Sequence, residues 1–218
     1  MNHIGSSFFD SHDKLHVFGT GGSAKDTLAI VADLLGAEKM VRECVVLVVG
    51  DKFFSEMNLW GVPIIPQSAF HPEMGSMVVS VGDGRSRQKI VESLSEQTRF
   101  ARLIHPSAHI SPWAQIGVGC VVSAGAVVTA DVVMGAHAQL NLYSTICHDA
   151  RIGDFFTTAP AANVNGNCAF GDQVYLGSNA AVKQNVRICS HVTVGMGAVV
   201  VKDISEPGTY VGNPLRKL

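Results

Sequence analysis

Charge is scarce in this chain. Only 16% of its 218 residues are Asp, Glu, Lys or Arg, sixteen basic and eighteen acidic side chains nearly cancel to −2, and no basic stripe stands out. That leaves no electrostatic footprint for nucleic acid. Aromatics are few, at 7%. The five cysteines, Cys44, Cys120, Cys147, Cys168 and Cys189, are odd in number and include no CxxC pair. A disulfide framework or a metal cluster is therefore not expected. Mean hydropathy is high at +0.25, yet no uninterrupted apolar run reaches the roughly 20 residues of a membrane span. The stretch MNHIGSSFFDSHDK lacks the basic flank and apolar centre of a signal peptide, so the expected compartment is the cytoplasm. Glycine is plentiful at 22 residues, and low charge with many turns suits a tightly wound solenoid.

What is present is a register of six, unbroken over seventeen units from Ile104 to Ser205, with units such as IGVGCV, ICHDAR and VGMGAV. The first position is aliphatic or aromatic in every unit except at Thr158, and the fifth is small or apolar throughout, with Phe156 the one large intruder. A period of six fits neither an amphipathic helix nor an alternating strand. It predicts a hexapeptide β-helix, three units closing each triangular coil and coils stacking about 4.8 Å apart. Cys120 and Cys168 take the inward fifth position and read as core. Pro207, Gly208 and Pro214 forbid a further coil and leave a short tail to cover the open sheet edge.

Residues 1–100 read differently from 101–218. LHVFG, CVVLVVGD and SMVVSVGDG are apolar strands, and AKDTLAIVADLLG and RSRQKIVESL have helical spacing. Strand, Gly-rich turn, helix and strand in succession predict a small parallel α/β sheet resembling half of a nucleotide-binding fold. FGTGGSA is an incomplete GxGxxG with Ala24 in the last place. Ligands of such sheets sit beyond the strand C-termini, where Gly21, Gly22, Asp51, Gly82 and Asp83 fall. Asp51 either binds a ribose or sugar hydroxyl or caps a turn. RFARLIHPSAHISP joins the parts without a flexible linker, so close packing is expected.

In a three-unit coil, residues eighteen apart stack in columns. His148 shares its corner column with Pro112, Ala130, Gly166, Gln184 and Lys202, so its nearest neighbours below and above are Ala130 and Gly166. That spacing leaves open space around an outward imidazole and exposes the Gly166 N–H. The chemistry it suggests is a general base. Asp149 would orient the ring and steady the imidazolium, and the Gly166 N–H would face a developing oxyanion. Corner positions also favour Asp and Asn for backbone reasons alone, which is the other reading of Asp149. His137 and His191 share a different corner, where a surface or turn role is expected, while His105 and His109 stand at the solenoid entrance.

FGTGGSAKD, VGD at Gly50–Asp51, SVGDGRSRQKI, LIHPSAHISPWAQIG, NLYSTICHDARIGD, NGN at Asn165 and YVGNPLRK together resemble the sugar O-/N-acyltransferases of the left-handed β-helix superfamily. These include the sialic acid O-acetyltransferases and the nucleotide-linked amino-sugar N-acetyltransferases of surface-glycan synthesis. The resemblance spans Val17 to Leu218. It implies left-handed coiling, where the general crossover rule gives the other hand. It also implies acetyl-CoA as co-substrate and a homotrimer with active sites between neighbouring β-helices. By the same resemblance His148 is the base and Asp149 stands where the family usually has Glu. The nucleotide-sugar pocket falls on Gly21, Gly22, Ser23, Asp51, Gly82 and Asp83, and the acetyl-CoA groove on Gly166, Ser178, Met196 and Gly197. Thr157 occupies a cofactor-contact position that is His in some N-acetyltransferase relatives.

The expected function is N-acetylation of a nucleotide-linked amino sugar, at C4, with sialic-acid-type O-acetylation as the alternative. A zinc hydratase on the same solenoid needs three convergent histidines, which the columns do not supply. A nucleotide-sugar-binding scaffold trimer would leave the His-Asp pair beside a glycine unexplained.

Overall fold

The computed structural model describes residues 14–36, 38–55 and 58–218; the segment read above for a signal peptide lies almost wholly outside them. The first part is a five-stranded sheet. Strands β1 (Lys14–Phe18), β2 (Val45–Val49), β4 (Val62–Pro66) and β5 (Gly75–Val79) run parallel, and β3 (Asn58–Leu59) pairs antiparallel with β4. The order is β3-β4-β2-β1-β5. Helices α1 (Gly22–Leu35), α2 (Glu38–Cys44) and α3 (Gly84–Ser93) complete the unit. β2 is apolar on both sides because both faces are covered, and β1 is likewise buried from Leu15 to Phe18, His16 included. The β3–β4 hairpin was not read from the sequence; VPIIP carries two prolines, and both lie in a strand with one free edge partner only two residues long.

From Leu103 onward the chain forms three parallel sheets. One face includes Val121–Val122, Gln139–Leu140, Thr157–Thr158 and Tyr175–Leu176. The second includes Val127–Val128, Thr145–Ile146, Asn163–Val164, Ala181–Val182 and Val199–Val200. The third includes Val133–Met134, Arg151–Ile152, Ala169–Phe170 and Arg187–Ile188. Pairing residues of successive coils differ by eighteen, as Thr145 with Asn163, until the C-terminal end, where Val192 pairs with Gly208. The mechanism of the register lies in the backbone: every sixth residue from Gly119 to Gly197 has φ between +56° and +70°. Each such residue turns a corner and returns the next first-position side chain to the interior. That interior is one cluster, from Ala114 to Ile204, of small and aliphatic side chains.

Both exceptions in the ladder have a local reason. Phe156 is fully buried and packs edge-on against Phe170 with centroids 5.3 Å apart. Thr158 satisfies its inward hydroxyl by donating to Ser144 Oγ at 3.0 Å and accepting from the Asn141 N–H at 3.1 Å. The tail strand Gly208–Val211 extends the first face and is covered by Arg216–Lys217 in antiparallel pairing.

The two parts are docked along the first face. Arg87, on α3, is fully buried and points into the junction. Its Nε donates to His137 O at 2.8 Å and its Nη1 to Val81 O at 2.6 Å. Its Nη2 donates to Phe155 O at 2.8 Å, to Phe156 O at 3.1 Å and to Thr157 Oγ1 at 2.9 Å. Burial draws its pKa down to about 10, still far above neutrality, so the guanidinium remains charged. Gln139 adds a bond to Val79 O at 2.9 Å, and His105 Nε2 meets Asp33 at 2.7 Å.

His137 turns a corner as expected, with φ +57°, but it is not on the surface. The docked unit covers it to 5% exposure, and its ring stacks on Phe155 with centroids 5.2 Å apart. Burial and, secondarily, the Arg87 charge lower its pKa to about 4. Its folded value thus lies below the unfolded one. The stability this group confers is whole above pH 6.5 and is lost as pH falls from 6.5 to about 4. Over that window, urea unfolding of the wild type should lose about 1.4 kcal/mol per pH unit more than His137→Asn, a variant suited to the same turn. Equal slopes would show that this histidine does not refuse the proton.

Candidate active site

His148 projects from the corner between the second and third faces. Its side chain is 65% exposed, and Nδ1 lies 2.7 Å from Asp149 Oδ2. A carboxylate only accepts, so Nδ1 carries the proton and the Nε2 lone pair is left free. Asp149 sits at one of the left-handed corners, with φ +63°. The corner requirement therefore explains why a small polar residue stands there, while the hydrogen bond shows what its carboxylate does. The two readings coexist.

Gly166 differs from the sequence expectation. The space above His148 is not open, because the ring itself leans into it. A Cβ at Gly166 would stand 2.6 Å from His148 Cε1 and 2.7 Å from Nε2. Gly166 is buried and forms the seat on which the imidazole rests. Its φ lies outside the left-handed region, so alanine suits the backbone and clashes only with the ring. Gly166→Ala should leave the unfolding midpoint near that of the wild type while cutting turnover roughly 10²-fold, through displacement of the base. Undiminished turnover would show that the seat is immaterial.

The residues expected to hold a nucleotide sugar gather at the carboxyl ends of β1, β2 and β5. Gly21 and Gly22 open α1, which has no capping side chain and no acidic residue in its first turn. A Cβ at either would meet nothing within 4 Å, and neither needs positive φ. By contrast, Gly19 is demanded by φ +122° and by Ser80 O, 2.8 Å from where its Cβ would be. Ser23 faces Gly82 across the cleft, its Oγ 3.4 Å from a Cβ placed on Gly82. Asp51 accepts from Ser68 N and Oγ at 3.0 and 2.8 Å, bonds that lower its pKa. Asp83 caps α3 by accepting from Ser86 N at 2.8 Å, again with a lowered pKa. Both aspartates thus have structural duties, the turn-capping alternative for Asp51.

The remaining residues divide. Ser178, Met196 and Gly197 lie together at the corner between the first and second faces, where Gly197 N donates to Ser178 O at 2.8 Å and Met196 is 80% exposed. The second face separates them from His148, so one chain does not bring them to its own His148. Thr157 is corrected by the structure. It is 1% exposed and bonds Arg87 and, at 3.0 Å, Gly82 O, so it has no surface to offer a cofactor. In this chain that position is part of the joint between the two units. The residue missed from sequence is Arg87, whose place in an otherwise ordinary helical period gave no signal. Among the described residues no group of three or more His, Cys, Asp or Glu is placed to hold a metal ion, and no helix is long and apolar enough to cross a membrane.

An outward, carboxylate-oriented imidazole on a hexapeptide β-helix, with an α/β unit docked alongside, defines a class: an acyl-transfer enzyme of the left-handed β-helix type. No family model matches the chain. Among solved structures it is similar to the acetyltransferase domain of PglB from Neisseria gonorrhoeae in complex with acetyl coenzyme A. That match has 33% identity and a TM-score of 0.84, covering 95% of this chain and 100% of that one. It is also similar to PerB from Caulobacter crescentus in complex with CoA and GDP-perosamine. Here identity is 28% and the TM-score 0.82, covering 94% of this chain and 97% of that one. A curated relative, GDP-perosamine N-acetyltransferase of Escherichia coli, is 28% identical over 177 residues, 78% of each chain. The chain belongs to the sugar acyltransferases of the hexapeptide-repeat β-helix family.

Proposed function

We propose that this protein is a cytoplasmic, homotrimeric enzyme that moves an acetyl group from acetyl-CoA to the C4 amine of a GDP- or UDP-linked amino sugar, for surface-glycan synthesis. The observation that carries the reading is the His148–Asp149 pair, 2.7 Å apart and seated on Gly166, with Nε2 unencumbered. The neutral amine attacks the thioester carbonyl carbon and a C–N bond forms. His148 Nε2 takes the proton that the nitrogen sheds, and Asp149 steadies the imidazolium. The Gly166 N–H is assigned to the tetrahedral oxyanion. The C–S bond then breaks and CoA leaves as its thiol with the proton from His148. Relatives that carry acetyl coenzyme A, or CoA with GDP-perosamine, support these classes of donor and acceptor, and their N-acetyltransferase names favour the amine over a hydroxyl.

Gly21 and Gly22 support the acceptor pocket, since nothing in the chain itself requires glycine there and bare backbone N–H groups open α1. Ser23, Asp51, Gly82 and Asp83 complete its rim. A single chain leaves His148 on an open corner, and that supports the trimer. The first face is covered by the α/β unit from Leu103 to Thr157, and Arg151 and Arg187 project from the third. The second presents His109, Val127, Thr145, Asn163, Ala181 and Val199, with no Asp, Glu, Lys or Arg. Packed around a threefold axis, three such faces bring His148 of one chain towards Ser178, Met196 and Gly197 of the next.

The test is release of free thiol from acetyl-CoA with a panel of UDP- and GDP-linked sugars. Release confined to amino sugars is expected. Equal release with sugars that carry only hydroxyls would replace this reading with O-acetylation. No release with any acceptor would end the enzyme assignment.

A further inference from the structure

Helix α1 turns Ser23, Asp26, Thr27 and Ile30 towards the solenoid, at the i, i+3, i+4 and i+7 spacing of one helical face. A narrow cleft runs between them and the first face, where Ser123 and Asn141 line it. Ser23 follows Gly21 and Gly22 in the chain, so the cleft continues from the start of α1. Most of its polar side chains are committed elsewhere. Thr27 Oγ1 and Ser80 Oγ bond each other at 2.6 Å, and Asn141 Nδ2 donates to Thr158 O at 2.7 Å. Asp26 differs from them. It is the one charged residue of the lining, it is exposed, and among the described residues its carboxylate has neither a hydrogen bond nor a cation. A carboxylate so placed selects a cationic donor, for which charge-assisted bonds are the strong ones.

The consequence rests on the acceptor pocket and the amino-sugar reading given above. A nucleotide-linked amino sugar is anionic at its pyrophosphate and, near neutrality, cationic at its nitrogen. Helix α1 has the matching order of charge. Its first turn holds no acidic residue and offers bare N–H groups to the pyrophosphate, and its second turn holds Asp26. From Gly22 to Asp26 the helix rises about 6 Å, comparable with the span of a pyranose ring from O1 to N4. We propose that Asp26 receives the ammonium of the acceptor sugar and is the residue that selects an amino sugar over its hydroxyl counterpart. The bound ammonium gives one proton to water at this exposed carboxylate, and the neutral amine then enters the attack described above.

The test is titration calorimetry of the full chain with GDP-perosamine, a UDP-linked 4-amino sugar, the 4-hydroxyl analogue of each, and free GDP and UDP. The wild type should bind the amino sugar of its preferred nucleotide at least about tenfold more tightly than the hydroxyl analogue. Asp26→Asn keeps the side-chain shape at an exposed helical position. In that variant the ratio should fall to near one, with affinity for the free nucleotide unchanged. A ratio that survives in Asp26→Asn overturns the proposal, and so does a wild type that does not distinguish amine from hydroxyl or binds no acceptor. An equal loss of affinity for amino sugar and free nucleotide also overturns it, because that marks a damaged pocket and not a lost charge. Thiol release from acetyl-CoA is measured alongside. Its absence in a wild type with the expected binding ratio would refute acetyl transfer while leaving the role of Asp26 intact, so the two failures are distinct.

Discussion

His148→Ala should lower kcat by about 10²–10⁴-fold, with elution volume and unfolding midpoint as in the wild type. The expectation follows from where the ring stands. Its contacts are Asp149 and the surface of Gly166, and its side chain is 65% exposed, so its removal opens no core. A residue with that profile contributes little to folding. Turnover within a few-fold of wild type would remove His148 from the mechanism. Asp149→Asn is the companion measurement. Asparagine tolerates the left-handed corner and keeps the shape, but it withdraws the charge that steadies the imidazolium, so kcat should fall without loss of stability.

Arg87→Ala should act the other way, on the frame before the chemistry. The guanidinium bonds the carbonyls of His137, Val81, Gly82, Phe155 and Phe156 together with the Thr157 hydroxyl. Truncation leaves those buried acceptors without donors, each at a cost of about 1–3 kcal/mol, so a total loss of at least about 3 kcal/mol is expected. For a chain of this size that is a fall in Tm of roughly 6–12 °C or more. Arg87→Lys should recover only part of it, because one ammonium cannot reach carbonyls on three sides of the junction. A variant that melts within about 2 °C of wild type would mean that the two units dock by apolar contact alone.

These two residues show unequal legibility. His148 could be found from sequence because the period of six is a coordinate system. Once three units make a coil, eighteen-residue columns follow, and a histidine between Ala130 and Gly166 stands apart from the others. Arg87 could not. It occupies a routine place in RSRQKIVESL, and its partners on the solenoid lie 50 to 70 residues away and, apart from the Thr157 hydroxyl, are carbonyls that any sequence would supply. Thr157 was misjudged for the same cause. Its column was known, but which face the α/β unit would cover was not. His137 turns its corner as the column predicts, and only the docked unit over it makes it buried.

The sequence by itself determined the solenoid, its coil height, the outward corner that carries His148, and the strand-and-helix character of residues before 100. Each follows from local periodicity, which the backbone enforces residue by residue. Only the tertiary structure decided which face is covered, that Arg87 joins the two units, and that Gly166 seats the imidazole. Those depend on side chains meeting across long separations, where packing and unsatisfied backbone groups, rather than local propensity, select the arrangement.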